Sequence, residues 1–454
     1  MSEAAAAMAL GVGDEWPILS IGELASADGG SIAIGPFGSS MKADTYTQTG
    51  IPVVRGNNLK GRPGFFGEFV YVSEETAARF ARCLVSPGDL VFPHRGAVGE
   101  VGLVVDQGFE RWMLSTSMMK LRPDPTRLDS SFAFYFFRSS LGRHQLLKNA
   151  SQVGTPGIGQ PLASLRACEL ALPPLNDQRA VASLLGALDD KIEQNRWTVR
   201  ALERLARAIF RAWFVDFEPV KAKAAGATAF PSMPQSVFDA LPTSFVESAI
   251  GPVPAGWEVK AIGDVVTAKG GGTPSTKNAD YWDGGKHRWA TPKDMSRLAH
   301  PVLLDTERCI TDAGVNAINS GVLPAGTVLM SSRAPVGYLA IAGIPTAINQ
   351  GFIAMVCDGP LPPTYVLNWA IASMDTIKAY ASGTTFPEIS KKNFRLLPVV
   401  VPPPDVIAAY QQASDPLFDL LTACVKESEQ LTVMRDYLLP KLLSGDVQVE
   451  ATHG

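Results

Sequence analysis

The sequence predicts an α+β protein in which one α/β unit is written twice and each copy is followed by a long helix. Three observations predict it: landmarks recur in the same order along the chain, short apolar runs alternate with glycine and proline turns, and two stretches carry apolar residues at alternating spacings of four and three. At 454 residues, 46% hydrophobic and 19% charged, the chain is long enough for several domains of ~150 residues and too apolar to be disordered.

The repeat comes first. Trp16-Pro17-Ile18 with Ile21-Gly22-Glu23 returns as Trp257-Glu258-Val259 with Ile262-Gly263-Asp264. Gly88-Asp89-Leu90-Val91, leading to Arg95-Gly96-Ala97-Val98-Gly99, returns as Gly326-Thr327-Val328-Leu329, leading to Arg333-Ala334-Pro335-Val336-Gly337. Gly154-Thr155 and Pro173-Pro174 return as Gly383-Thr384 and Pro402-Pro403. A period of ~200 residues marks a duplicated domain, because solenoid periods run ~20–50 residues. Each copy opens with β-like runs, among them Ile51-Pro52-Val53-Val54, Leu90-Val91-Phe92 and Thr327-Val328-Leu329-Met330, broken by turn residues.

The Pro-Pro pairs punctuate the start of each long helix. In the first copy Val181, Leu185, Leu188, Ile192, Asn195, Val199, Leu202, Ala206, Ile209 and Trp213 form a heptad seam with Asn195 as its polar position. In the second copy Leu417, Leu420, Cys424, Leu431, Met434 and Leu438 give a patchier seam, and Ser414-Asp415-Pro416 reads as an N-cap followed by proline. Two seams in one chain most simply pack against each other as a coiled coil; the plainer arrangement lays each helix on its own domain. Between the copies, residues 218–256 carry six prolines and an Ala/Lys run and read as a linker.

Several chemistries are not written here. There is no GxxxxGK[ST] loop, and Gly270-Gly271-Gly272 leads into Thr-Pro rather than a helix. The five histidines form no HxxxH or HExxH pair, and no two of the five cysteines lie closer than Cys309 and Cys357, so neither a metal site nor a disulfide framework is expected. Asp177, Asp189 and Lys191 superficially suggest a nuclease, but they open a heptad helix, where solvated charges belong. No catalytic residue is assigned. The N-terminus lacks a basic n-region, and no stretch is apolar enough to span a membrane, so a cytoplasmic protein is expected.

A net charge of −4 does not advertise a nucleic-acid binder, but local patches differ. Basic residues outnumber acidic ones from Lys42 to Phe66, where Asn57 and Asn58 are interleaved, and again from Lys260 to His300, beside Tyr281, Trp282 and Trp289. Lysine and arginine on loops neutralise phosphates, and asparagine, glutamine and arginine read base edges. The first helix adds Arg196, Arg200, Arg204, Arg207 and Arg211, either a solvated face or a docking stripe.

At these residues the sequence resembles the specificity subunit of type I restriction-modification systems, from Trp16 to Val449. The strings that carry the resemblance are Gly35-Pro36-Phe37-Gly38-Ser39, Ile51-Pro52-Val53-Val54-Arg55-Gly56, and Phe210-Arg211-Ala212-Trp213-Phe214-Val215-Asp216-Phe217. Gly251-Pro252-Val253-Pro254-Ala255-Gly256-Trp257, Asn349-Gln350-Gly351-Phe352, and Leu438-Leu439-Pro440-Lys441-Leu442-Leu443-Ser444-Gly445 add to it, while the first copy departs from the Asn-Gln string with Leu114-Ser115-Thr116-Ser117. The resemblance implies target recognition domains over 1–175 and 257–403. Helices over 176–217 and 404–445 would pair as an antiparallel coiled coil that sets the spacer of a split, asymmetric double-stranded DNA target. It also implies partners, namely two methyltransferase subunits and the restriction/motor subunits, which bring S-adenosylmethionine, ATP and Mg; this chain would hold no cofactor or metal.

Loop position and residue type then nominate Ser39, Lys42, Arg55, Asn57, Lys60, Arg95 and Gln152 for DNA binding in the first copy. In the second they nominate Lys269, Thr273, Lys277, Arg288, Lys293, Arg333, Thr384 and Lys391. Bracing a tight turn is the competing role for Arg95 and Arg333, and a solvated helix start for Lys391. Arg196, Arg200, Arg207 and Trp213 are nominated for methyltransferase docking. A non-catalytic protein scaffold is the alternative function.

Overall fold

The computed structural model describes residues 16–36, 41, 43–151, 154–383 and 387–449. The chain divides into two compact units, 1–193 with 429–454 and 194–428. Each long helix, Leu175–Phe214 and Pro404–Ser444, therefore gives part of its length to both.

In the first unit one antiparallel sheet runs in the order Ile32–Ile34, Met118–Leu121, Leu90–Pro93, Gly102–Leu103. A second, mixed sheet runs Val70–Val72, Ile51–Val54, Trp112–Leu114, Leu84–Val85, with its central pair parallel. The inner strands of both are buried on both faces and read as apolar runs, broken only at Lys120, whose ammonium donates to the Leu84 carbonyl at 2.6 Å. Helix Ser130–Arg138 is capped by the Asp129 carboxylate, which accepts from the Ser131 and Phe132 amides. Its run Phe132 to Phe137 is buried on every side, as expected of a helix without a polar face.

The second unit repeats the plan. Its larger sheet runs Thr267–Gly270, Phe352–Val356, Val328–Ser331, Leu339–Ala342, Val302–Leu303, and its smaller one Arg308–Ile310, His287–Ala290, Thr346–Ile348, again with one parallel pair. The duplicated opening strings do equivalent work. Ile18–Ser20 pairs antiparallel with Glu169–Ala171, and Glu258–Ala261 with Pro398–Val401, so each copy is closed by pairing its first strand with the strand before its Pro-Pro.

Within both units the long helices pack antiparallel. In the first, Val181 and Leu185 share a core with Leu442 and Leu443, and the Arg435 guanidinium is 2.7 Å from Asp189. In the second, Val199 packs with Leu421, Cys424 and Val425, the Asn195 amide donates to Glu427 at 2.7 Å, and Trp213 and Phe214 meet Tyr410 edge to face. The heptad seam of the first helix is buried at Val181, Leu185, Ile192, Asn195, Val199 and Trp213.

Three expectations are corrected. The second helix keeps its seam only in part: Cys424 is buried, but so are Leu421 and Val425 beside it, whereas Leu420 and Met434 are exposed, because an apolar stripe with two candidate edges does not say which edge faces the partner. It begins at Pro404, and Ser414 and Asp415 are bonded to the Thr364 hydroxyl instead of capping a start. Residues 218–256 carry helices Glu218–Ala224 and Gln235–Ala240 and a hairpin of Phe245–Ser248 with Gly251–Pro254, anchored by buried Val220, Phe238, Leu241 and Val253.

Candidate nucleic-acid interface

In the first unit, the loop after strand Ile51–Val54 is braced from inside. Asn58 is buried, accepts the Arg55 amide at 3.0 Å and donates to the Phe66 and Glu68 carbonyls. The Gln107 amide closes on Phe65, accepting from its N–H at 2.8 Å and donating to its carbonyl at 3.0 Å. Arg55 is itself a brace, donating to the Glu68 carbonyl at 3.1 Å. Arg62 stands over the Phe66 ring and pairs with Glu193 at 2.7 Å. What the loop leaves outward is Asn57 and Lys60, both exposed.

A second loop lies against the first. A Cβ on Gly56 would stand 3.7 Å from both Pro93 and Ala97, so the Arg95-Gly96-Ala97 turn is its neighbour. Arg95 is exposed, while the His94 imidazole is buried, bonded to the Thr116 carbonyl at 3.2 Å and pushed down in pKa by that burial. Asn57 and Arg95, 38 residues apart in sequence, thus share one edge. Ser39, Lys42 and Gln152 lie outside the described residues.

In the second unit the glycine loop builds the edge. A Cβ on Gly271 would meet the Ile348 and Asn349 carbonyls at 2.1 and 2.2 Å, so only glycine fits there. The Gly272 amide donates to the Ile348 carbonyl at 3.0 Å, and the Thr273 hydroxyl bonds to Gln350. The Ser332 amide donates to the Gly351 carbonyl, which brings the Arg333 turn to the same place. That turn is shaped by buried Ser331, whose hydroxyl donates to the Pro335 carbonyl and accepts from the Gly337 and Tyr338 amides. Arg333 faces Glu388 at 3.8 Å, and Lys391 comes to within 3.9 Å of where a Gly270 Cβ would be. Thr273, Gln350, Arg333 and Lys391 are therefore gathered from four segments. Gln350 was not among the nominated residues, although its Asn-Gln string was visible. Thr384 lies outside the described residues.

The basic excess of 260–300 is largely neutralised. Lys260 pairs with Glu258 at 2.6 Å, Lys286 with Asp312 at 3.1 Å and Arg288 with Asp305 at 2.9 Å, while Lys293 and Arg297 share Glu307, each at 2.9 Å. The Lys293 ammonium, helped by Arg297, holds the Glu307 carboxyl below the usual range. Lys269, exposed on its strand, stands near Asp358. Lys277 is exposed and has no ion pair among the described residues.

On the first long helix Arg196 and Arg200 are exposed, Arg200 over the Trp197 ring, and Arg207 is bonded to Glu203. Trp213 is a correction: at 2% exposure, among Phe210, Phe214 and Tyr410, it is core and cannot dock a partner. The helix's exposed tryptophan is Trp197, at 58%. The nuclease alternative loses its centre, because Asp189 is committed to Tyr135, Arg138 and Arg435 at 3.0, 2.6 and 2.7 Å.

Comparison with known proteins agrees with a duplicated chain. The family model described as type I restriction modification DNA specificity domain matches twice, at residues 14–203 and 254–427. The type I restriction enzyme HindI specificity subunit of Haemophilus influenzae is 25% identical over 409 residues, 81% of this chain and 88% of that one. The MjaIX specificity subunit of Methanocaldococcus jannaschii is 38% identical over 165 residues, 36% of this chain and 38% of that one. The crystal structure of a type I restriction-modification S subunit from M. genitalium shares the fold, with a TM-score of 0.59 at 15% identity over 95% of this chain and 97% of that one.

Proposed function

Since the chain belongs to the family of type I restriction modification DNA specificity domains, we propose that it is the DNA-reading subunit of such a complex, with each unit reading one half of a bipartite double-stranded target. The observation that carries this is the duplicated edge. In both copies an arginine on the equivalent turn, Arg95 and Arg333, is brought beside a glycine-bearing loop that offers amide or hydroxyl side chains, Asn57 in one and Thr273 with Gln350 in the other. Backbone amides and cations at such an edge position the duplex, and amide side chains read base edges.

In this reading the chain contributes recognition and no catalysis. The long helices set the gap between half-sites, and the exposed Arg196, Arg200 and Trp197 side of the first helix docks methyltransferase subunits. S-adenosylmethionine resides on those subunits, and ATP and Mg on the restriction/motor subunits, in a prokaryotic cytoplasm. Among the described residues no helix is long and apolar enough to cross a membrane.

The test is selection from random duplexes by the chain co-expressed with its methyltransferase subunit, followed by sequencing of the retained DNA. Enrichment of a two-part motif with a fixed gap is expected. A single contiguous motif would mean that one unit is silent, and no enrichment from a well-formed complex would favour a protein scaffold.

A further inference from the structure

One cation of the second unit is held in a way that no motif announces. Arg308 begins the edge strand Arg308–Ile310 and lies opposite Trp289 in the ladder. Its guanidinium stands over the Trp282 ring at 3.6 Å from the centroid, with the Trp289 ring at 5.7 Å. The two indoles meet edge to face at 5.1 Å. Their N–H groups donate to the glycine loop and its continuation, Trp289 to the Gly272 carbonyl at 3.1 Å and Trp282 to the Ser275 carbonyl at 3.0 Å. The same pair of rings thus fixes the loop that carries Thr273 and Lys277 and seats Arg308 beside it.

The surrounding cations are committed to carboxylates: Arg288 to Asp305, Lys286 to Asp312, Lys293 and Arg297 to Glu307. Arg308 is exposed and no carboxylate among the described residues pairs with it. A guanidinium on an aromatic ring spends its face and keeps its five in-plane donors. That is the form in which arginine makes two parallel hydrogen bonds to guanine O6 and N7 in the major groove. Phosphate binding asks only for charge, which flexible Lys277 on the adjoining loop supplies; an oriented fork is what a base edge requires.

We propose that Arg308, positioned by Trp282 and Trp289, reads a guanine in the half-site of the second unit. The proposal rests on the reading that this unit contacts DNA, and its test separates the two. The full chain, co-expressed with its methyltransferase subunit, is carried through random-duplex selection as wild type, Arg308→Ala, Arg308→Lys and Trp282→Leu. The wild-type motif is expected to contain a guanine, on either strand of the second half-site, whose preference falls tenfold or more in Arg308→Ala and also in Arg308→Lys, which keeps the charge. Trp282→Leu is expected to blunt the same position, and an unchanged first half-site shows that each variant is folded. A wild-type motif without guanine in that half, or an Arg308→Ala motif unchanged at every position, overturns the proposal while leaving the reading intact. Rescue by Arg308→Lys would also overturn it, because a charge alone would then suffice. Absence of any wild-type motif overturns the reading itself, and the proposal with it.

Discussion

Two neighbouring asparagines divide structure from function at the residue scale. Asn58 bonds one backbone amide and two carbonyls, so Asn58→Ala strands the Arg55 amide and the Phe66 carbonyl, while the Glu68 carbonyl keeps Arg55, and is expected to cost about 2–4 kcal/mol of stability, measured by denaturant unfolding. Asn57 is exposed beside the Arg95 turn, and its side chain bonds to none of the described residues. Asn57→Ala is expected to leave the unfolding midpoint in place and to relax one base position of the first half-site by about 1–3 kcal/mol; undiminished discrimination at every position would remove Asn57 as a reader. Lys277 tests the other kind of contact. If it meets one phosphate, Lys277→Ala weakens binding to all sequences and lowers the salt slope by about 1, so an unchanged slope excludes that contact. Sequence alone gives no physical ground for nominating Asn57 over Asn58, because the difference lies in which one Phe66 and Glu68 fold back upon. It also counts Lys286, Arg288, Lys293 and Arg297 as free charge, because their partners, Asp305 and Glu307 in the loop before Arg308–Ile310 and Asp312 at the start of helix Asp312–Asn316, are placed by the ladder between His287–Ala290 and Arg308–Ile310.

Among the elements, the long helices show how far a pattern carries. Strict heptads in Leu175–Phe214 identify the buried face over most of its length, and the polar position Asn195 finds its partner in Glu427. The pattern fails where it is mixed: Pro404–Ser444 has apolar residues on both sides of its seam, and Leu420, Val433, Met434 and Tyr437 remain exposed. Trp213 fails for a different reason, since a tryptophan near a helix end suits either a core or a partner and only the position of Tyr410 decides. The two tryptophans of the first helix therefore separate stability from docking. Trp213→Ala is expected to cost about 3–5 kcal/mol, the usual range for removing a large buried ring. Trp197→Ala is expected to change stability by less than about 0.5 kcal/mol, as exposed substitutions do, and to lower retention of the methyltransferase subunit in co-purification. Equal retention would move docking off that face.

For the whole molecule, the duplication gives the Arg95 turn of one edge a counterpart in the Arg333 turn of the other, while the two copies differ in how their charges are balanced. Arg95 is exposed without an ion pair among the described residues, whereas its counterpart Arg333 has Glu388 at 3.8 Å. With a net charge of −4 the chain has little general attraction for DNA, so the few uncommitted cations weigh heavily in its affinity. An arginine already facing a carboxylate must trade that contact for a phosphate, and an exposed pair of this kind is worth only about 0–1 kcal/mol. Arg95→Ala is therefore expected to reduce affinity and salt slope more than Arg333→Ala does, in the complex with its methyltransferase subunit. Because a phosphate contact carries no base information, each substitution should weaken binding to intact and half-altered duplexes by the same factor. The informative measurement is a set of binding isotherms at several salt concentrations for both variants on duplexes altered in one half at a time. A salt slope unchanged in both variants would mean that these arginines only shape their turns, whereas a loss of discrimination confined to one altered half would make that half's arginine a base reader instead.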